Sequence, residues 1–368
     1  MEPFEIFLAG TPGLEPVLRD EAAAIGLPDP KVVPGGVVTR GTWPDVWRAN
    51  LHLRGANRVL ARIGEFRAFH LAQLDKRSRK FDWAAHLRPD LAVRVEVTCK
   101  ASKIYHDRAA RQRIETAITD SLGAPIAEDA PIRLMARIED DLVSFSLDTS
   151  GEPLHRRGHK EAVNKAPLRE TLAALFLREC GYDGTQPVID PMCGSGTFVI
   201  EAAEIALGLA PGRTRAFAFE QFASFDAAAW QAMKADVTPR QTDLVFRGFD
   251  RDDGAIRFSQ ANAQRAGVAE VTTFARQAIS DLKRPEGPPG LIMVNPPYGA
   301  RIGNRNLLFA LYGALGQVLK SNFRGWRLGM VTSDPGLAKS TGLSFVRTSA
   351  PIPHGGLGIK LYQTGPLP

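Results

Sequence analysis

The sequence predicts an α/β protein: an open, mostly parallel sheet with helices on both faces, preceded by small α+β modules. Three observations predict it. From about Glu161 onward, apolar runs alternate with helical patterns, as in "PVIDPMCGSGTFVIEAAEIALG", "LVFRGFDRDDGAIRFSQANAQRAG" and "GLIMVNPPYG"; that alternation is the pattern of a parallel sheet buried on both faces. The first 150 residues have a different texture of short strands and helices. With 368 residues the chain is long for a single core, so two or three domains are expected.

In chain order, "FEIFLAG" (Phe4 to Gly10) reads as a strand and "GLEPVLRDEAAAIG" (Gly13 to Gly26) as a helix closed by glycine. "GGVVTRG" reads as a strand, and "TWPDVWRANLHL" as a helix starting at Thr42, with Pro44 tolerated in the first turn. "ANRVLARIGEFRAF" returns to strand character, followed by a basic loop around "KRSRK" (Lys76 to Lys80). "LAVRVEVTC" (Leu91 to Cys99) alternates as a half-buried strand does. In "DRAARQRIETAITDSLG", Ile114, Ala117 and Ile118 share one helical face, and "IRLMARIEDDLVSFSLDTSG" supplies a hairpin. The second half opens with a helix, "AVNKAPLRETLAALFLREC". It continues with strands ending at "VID", "GFD", "VTTFARQ", "LIMV" and "WRLGMVTS", a helix near Leu307–Lys320, and a closing hairpin in "LSFVRTSAPIPHGGLGIKLYQT".

Bulk properties exclude some classes. Hydrophobic residues make up 44% and charged residues 23%, with no run long and apolar enough to span a bilayer. The start lacks the basic region and apolar core of a secretory signal. Cys99, Cys180 and Cys193 are widely spaced, forming neither a metal-ligand cluster nor a disulfide framework, which points to a reducing cytoplasm. The net charge is +6. Between Lys76 and Arg113 there are eleven Lys/Arg against four Asp/Glu, a distribution that suits either a nucleic-acid surface or a solvated helix face.

Two strand ends carry the chemistry. "VIDPMCGSGTF" places Asp190 at the end of an apolar strand, followed by Cys193-Gly194-Ser195-Gly196 and a helix starting near Thr197. The glycines let backbone approach a ligand, and the helix start presents free N–H groups. The spacing fits neither the phosphate-binding GxxxxGK[ST] loop nor the dinucleotide GxGxxG loop. Asp250, at the end of the next strand, is placed to hold a ribose or to cap the following helix. Asn295-Pro296-Pro297-Tyr298 ends a third strand. An amide oxygen there can accept from an exocyclic base amine, Pro296 offers a rigidly held carbonyl, and Tyr298 a flat face for an extruded base.

Together, "DPMCGSG" and "NPPY" resemble the cofactor and catalytic motifs of class I S-adenosylmethionine-dependent methyltransferases that modify amines. The chain is most similar to THUMP-containing RNA methyltransferases, and among these to the bacterial large-subunit rRNA guanine-N2 enzymes, often labelled N6-adenine-specific DNA methylases. "FSLDTSGEPLHRRGHKEAVNKAPLRETLAALFL" (Phe145 to Leu177) resembles their interdomain segment. The resemblance implies a ferredoxin-like region over 1–60, a THUMP RNA-binding domain over 61–150 and a Rossmann-like catalytic domain over 151–368.

It also implies that Asp190, Pro191, Cys193, Gly194, Gly196, Thr197 and Asp250 bind S-adenosyl-L-methionine, and that Asn295, Pro296, Pro297 and Tyr298 receive the base. The acidic residue that commonly recognises adenine has no clear counterpart: Gln277 stands where it is expected and Asp281 comes late. Arg77, Arg79, Lys80, Lys103, Arg108 and Arg111, with Arg156, Arg157 and Lys160 of "HRRGHK", are the expected RNA contacts. The implied activity is methylation of guanine N2 in 23S rRNA, without metal, membrane or obligate protein partner, in the cytoplasm. With nothing after residue 368, a single modification is expected. The alternatives are a tRNA guanine, an adenine N6, or an rRNA-binding assembly protein that keeps its pocket.

Overall fold

The computed structural model describes residues 2–161, 168–299 and 305–368. The chain forms two compact units, one of Met1–Gly10, Arg19–Leu154 and Gly212–Asp236, the other of Thr11–Leu18, His155–Pro211 and Val237–Pro368.

The first unit is built on a seven-stranded sheet. Its strands are β1 (Phe4–Ala9), β2 (Lys31–Val33), β3 (Gly36–Gly41), β4 (Arg58–Arg67), β5 (Val93–Lys100), β6 (Ile132–Glu139) and β7 (Leu142–Asp148), in the order β2-β3-β1-β4-β7-β6-β5. β4 pairs antiparallel with β1 on one edge and with β7 on the other, so one sheet runs without a break through residue 60. Helix Trp43–His52 starts where the sequence indicates, with the Asp45 carboxylate accepting the Thr42 N–H at 2.8 Å. Helix Asp107–Leu122 buries Ala110, Ile114, Ala117 and Ile118, and ends at Gly123 in the left-handed conformation.

Two features of this unit differ from expectation. The basic run is helical in its first part: Leu71–Ser78 is a helix, with Arg79 and Lys80 in the turn after it, His70 Nδ1 accepting the Gln73 N–H and Gln73 Oε1 accepting the Phe69 N–H. Those reciprocal bonds close the helix start, and Leu74 and Ser78, four apart, face the core. Residues Gly212–Asp236, which fall within the 151–368 range expected for the catalytic domain, belong to this unit as well. There Phe217, Phe219 and Trp230 pack on one another, and Phe219 also stacks on Trp47.

The second unit carries an eight-stranded sheet among the described residues: β8 (Val188–Asp190), β9 (Phe246–Asp250), β10 (Thr272–Arg276), β11 (Leu291–Val294), β12 (Arg327–Thr332), β13 (Phe345–Thr348), β14 (Ile352–His354) and β15 (Leu357–Thr364). The order is β10-β9-β8-β11-β12-β15-β13, with β14 paired to β15. The first five are parallel, while β15 runs antiparallel to β12 and β13. All residues of β8 and β11 are buried, as central parallel strands under two helical layers must be. The end of the chain forms three strands rather than one hairpin. The helix expected from "AVNKAPLRETLAALFLREC" runs over Glu170–Glu179; residues 162–167 of that stretch lie outside the described residues.

The chain runs from β8 outward through β9 to β10, then returns to the other side of β8 as β11. That reversal makes a topological switch point at the carboxyl ends of β8 and β11, the place where open α/β sheets bind ligands. The paired register Ile292–Ile189 brings the two strand ends side by side.

Candidate active site

Asp190 is 2% exposed at the end of β8. Its Oδ1 accepts the Met192 N–H at 3.0 Å, turning the chain into the Gly-rich loop. Burial pushes its carboxyl well above the usual range, and the nearby Asp250 charge adds to that. The loop is tied down at several points. Cys193 N–H donates to the Phe249 carbonyl at 2.8 Å, Gly194 N–H to Asp250 Oδ2 at 3.0 Å, and Gly196 N–H to the Cys193 carbonyl at 2.8 Å. The second Asp250 oxygen accepts the Asp252 N–H at 3.0 Å.

Gly196 is at φ +83°, and a Cβ there would lie 3.1 Å from Ser259 Cβ. The positive φ favours glycine immediately before helix Thr197–Ala206, and the close approach of Ser259 adds to that. At Gly194, by contrast, a Cβ would meet nothing within 4 Å, leaving room beside the loop there. Cys193 is buried and its thiol pushed well above its usual range, chiefly by burial. It packs as an apolar group and is no nucleophile.

Two residues that the sequence reading passed over support this loop from helix Asp253–Ala266. Ser259 Oγ donates to the Gly194 carbonyl at 2.9 Å, and Asn262 Nδ2 to the Ser195 carbonyl at 3.1 Å. Both are fully buried. The available signal was a polar pair, three residues apart, on the same face as Ile256 and Ala263.

After the end of β11, Asn295 Oδ1 is buried and has no hydrogen-bond partner among the described residues. Buried carbonyl oxygens are rarely left unpaired, and one at the carboxyl end of a parallel strand is a candidate acceptor for a ligand's donor. Pro296 is buried, while Pro297 and Tyr298 are partly exposed. The backbone there is braced by Tyr312, whose hydroxyl bonds the Pro297 carbonyl at 3.3 Å and Thr332 Oγ1 at 3.2 Å. Burial pushes the Tyr298 phenol up to about 12, so it stays protonated and is no general base near neutrality.

The chain belongs to the RMKL-like methyltransferase-domain family. That family's profile matches residues 157–352, more than half of the chain, and the RlmL ferredoxin-like domain matches residues 5–60. A family relative, the ribosomal RNA large subunit methyltransferase K/L of Psychromonas ingrahamii, is 35% identical over 92% of this chain. The chain spans about half, 47%, of that relative's length. Among solved structures, a predicted N6-adenine-specific DNA methylase from Listeria monocytogenes superposes with a TM-score of 0.88 at 29% identity, covering 100% of this chain and 97% of the other. SMU.472, a candidate methyltransferase complexed with SAH, gives 0.86 at 27% identity, covering 100% and 99%. Among the described residues, no helix is long and apolar enough to cross a membrane, and no cluster of His, Cys, Asp or Glu could hold a metal.

The expected RNA contacts separate into three groups. Arg77, Lys80, Lys103 and Arg108 are exposed and carry no ion pair among the described residues; Lys103 lies 4.9 Å over the Phe69 ring. Arg79 is already paired with Asp75 and Asp120, at 3.0 and 2.6 Å, and Arg111 with Glu115 and Glu128.

The "HRRGHK" segment requires a correction. Arg156 is exposed, but Arg157 is 2% exposed and its guanidinium bonds Glu201 and Glu204 of helix Thr197–Ala206. Lys160 donates to the Leu168 carbonyl at 2.6 Å and pairs with Glu170 at 3.3 Å. Neither Arg157 nor Lys160 is open to a phosphate. They neutralise carboxylates that the fold has buried.

Because its carboxyl is raised, Asp190 favours folding in acid, and that contribution is lost as pH rises through the raised value. Asp190→Asn keeps an acceptor for the Met192 N–H without the charge. Its melting temperature without ligand therefore exceeds the wild type's by a margin that widens from acidic to neutral pH, as thermal melts across that range will show.

Proposed function

We propose that this chain transfers a methyl group from S-adenosyl-L-methionine to the exocyclic N2 of a guanine in RNA, with 23S rRNA as the substrate. The observation that carries this reading is the unpartnered Asn295 oxygen at the carboxyl end of β11, next to the strand that opens the Gly-rich loop. The K/L relative is named for large-subunit rRNA, which supports the choice of RNA.

The residues fit the cofactor. Gly194 leaves room beside the loop, Gly196 precedes a helix start that favours negative charge, and Asp190 and Asp250 bring carboxylates to the same strand ends. On this reading Asp190, Pro191, Cys193, Gly194, Gly196 and Thr197 hold the cofactor, and Asp250 takes the ribose hydroxyls. When bound, the cofactor supplies a methyl group on a positively charged sulfur. Asn295 Oδ1 and the Pro296 carbonyl accept from the target amine and aim its lone pair, Pro297 keeps Pro296 extended, and Tyr298 stacks on the base. Catalysis is then positioning and electrostatics, with no side chain acting as a base near neutral pH. In this scheme Asp190→Asn weakens cofactor binding about ten-fold, as expected for loss of a charge-assisted hydrogen bond.

Residues 61–150 serve in this reading as a THUMP-type RNA-binding module, with Arg77, Lys80, Lys103 and Arg108 on phosphates. Replacing Arg77 and Lys80 together with Gln lowers RNA affinity and flattens the log K against log salt slope by roughly two. An unchanged slope in a salt titration would return that run to a solvated surface.

The deciding experiment is methyl transfer from labelled S-adenosylmethionine to unmodified 23S rRNA, tRNA and DNA in parallel, with nucleoside analysis. N2-methylguanosine in rRNA is the expected product. N6-methyladenine, the product that the Listeria protein's name denotes, would overturn the base assignment, and labelling of tRNA alone would overturn the substrate.

A further inference from the structure

The hairpin β14–β15 has a place in the second unit that the transfer scheme leaves unused. β12 ends at Thr332, which pairs with Lys360 of β15. β15 begins three residues earlier, at Leu357, and among the described residues that extension pairs only with β14: Ile352 with Ile359, Pro353 with Gly358, His354 with Leu357. Because β15 is antiparallel to β12, the extension continues past the carboxyl ends of the parallel strands, by about 10 Å for three residues. Those ends hold the Gly-rich loop and the Asn295 turn, so the hairpin projects on the ligand side of the sheet.

Its tip is Gly355-Gly356, at φ +56° and +82°. Two consecutive residues at positive φ make the tight turn that matches strand twist, and leave the tip without side chains. The first side chain after it is Leu357, 46% exposed. A Cβ on Gly299, the residue after Tyr298, would lie 3.6 Å from Leu357 Cδ1. A large apolar side chain thus stands exposed at the rim of the Asn295–Tyr298 turn, on a two-stranded projection with a compact tip.

We propose that Leu357 is an apolar wedge for the RNA, entering the stack beside the target nucleotide while the base is extruded toward Asn295 and Tyr298. A base inside a helix cannot present its amine to a recessed acceptor, so it has to leave the stack, and inserted apolar side chains are a general means of offsetting the lost stacking. A polar side chain at that place would pair with water, whereas leucine gains by covering a base face. The inference rests on the RNA reading above and adds a residue to it.

The test compares wild type, Leu357→Ala and Leu357→Met in single-turnover methyl transfer on two RNAs: one with the target guanine paired in a helix, and a short strand with it unpaired. Leu357→Ala should lose roughly ten-fold on the paired RNA and change little on the unpaired one, because only the first requires unstacking. Leu357→Met should stay near wild type, and S-adenosylmethionine affinity should be equal in all three. An equal loss on both RNAs, or no loss on either, overturns the wedge while the transfer reading stands. A wild type that methylates neither RNA overturns the transfer reading, and the wedge with it.

Discussion

Replacing Asn295 with Ala lowers methyl transfer by about a thousand-fold, the scale seen when one preorganised hydrogen-bonding group is removed from a transition state, and leaves cofactor affinity unchanged. The basis is the solitary position of Asn295 Oδ1, buried and without a partner. A group held that way costs folding about 1–3 kcal/mol of desolvation. Its removal therefore does not destabilise the protein, and the melting temperature of Asn295→Ala holds or rises. Activity falling while stability does not is the mark of a group kept for the substrate. Labelled transfer, cofactor titration and a thermal melt on the same preparation check all three parts. A fully active variant would sink the proposed amine contact.

The second large effect is on stability. Arg157→Ala destabilises the second unit by about 3–5 kcal/mol, because Glu201 and Glu204 remain buried after their cation is gone. Both carboxylates lie on the helix that begins at the Gly-rich loop. Replacing Arg157 with Met and both glutamates with Leu removes these three buried charges together and recovers most of the loss. Denaturant unfolding of the single and triple variants separates the two. If Arg157→Ala unfolded like wild type while losing RNA affinity, the phosphate role first expected for it would be restored.

The motifs "DPMCGSG" and "NPPY" were legible in the sequence because strand-end chemistry is written in contiguous residues. An apolar strand, a carboxylate and glycines in order, or an amide before two prolines, need no distant partner to be recognised. The two residues that brace the Gly-rich loop, Ser259 and Asn262, were not legible. Each bonds a backbone carbonyl more than sixty residues away in sequence, and a serine and an asparagine in a helix carry no local mark of that task. The helix over Leu71–Ser78 was hidden for a local reason instead. Its start is closed by His70, an uncommon capping residue, and its charge run resembles a loop.

By itself, then, the sequence determined the parallel sheet of the second half, the alternating strands of the first, and the strand ends at which the two motifs fall, since all of these rest on periodicity and neighbouring residues. Tertiary structure alone decided what became of the charges. Arg157 meets Glu201 forty-four residues on, and Arg79 meets Asp120 forty-one residues on, while Arg77 and Lys80, from the same run as Arg79, stay open to solvent. It also decided that one sheet continues through β4, and that Gly212–Asp236, inserted between two strands of the parallel sheet, belongs to the other unit. The physical reason is the same throughout. Whether a cation is a ligand-binding group or a buried counter-ion depends on the carboxylates that folding brings beside it, and those lie beyond the reach of any local pattern.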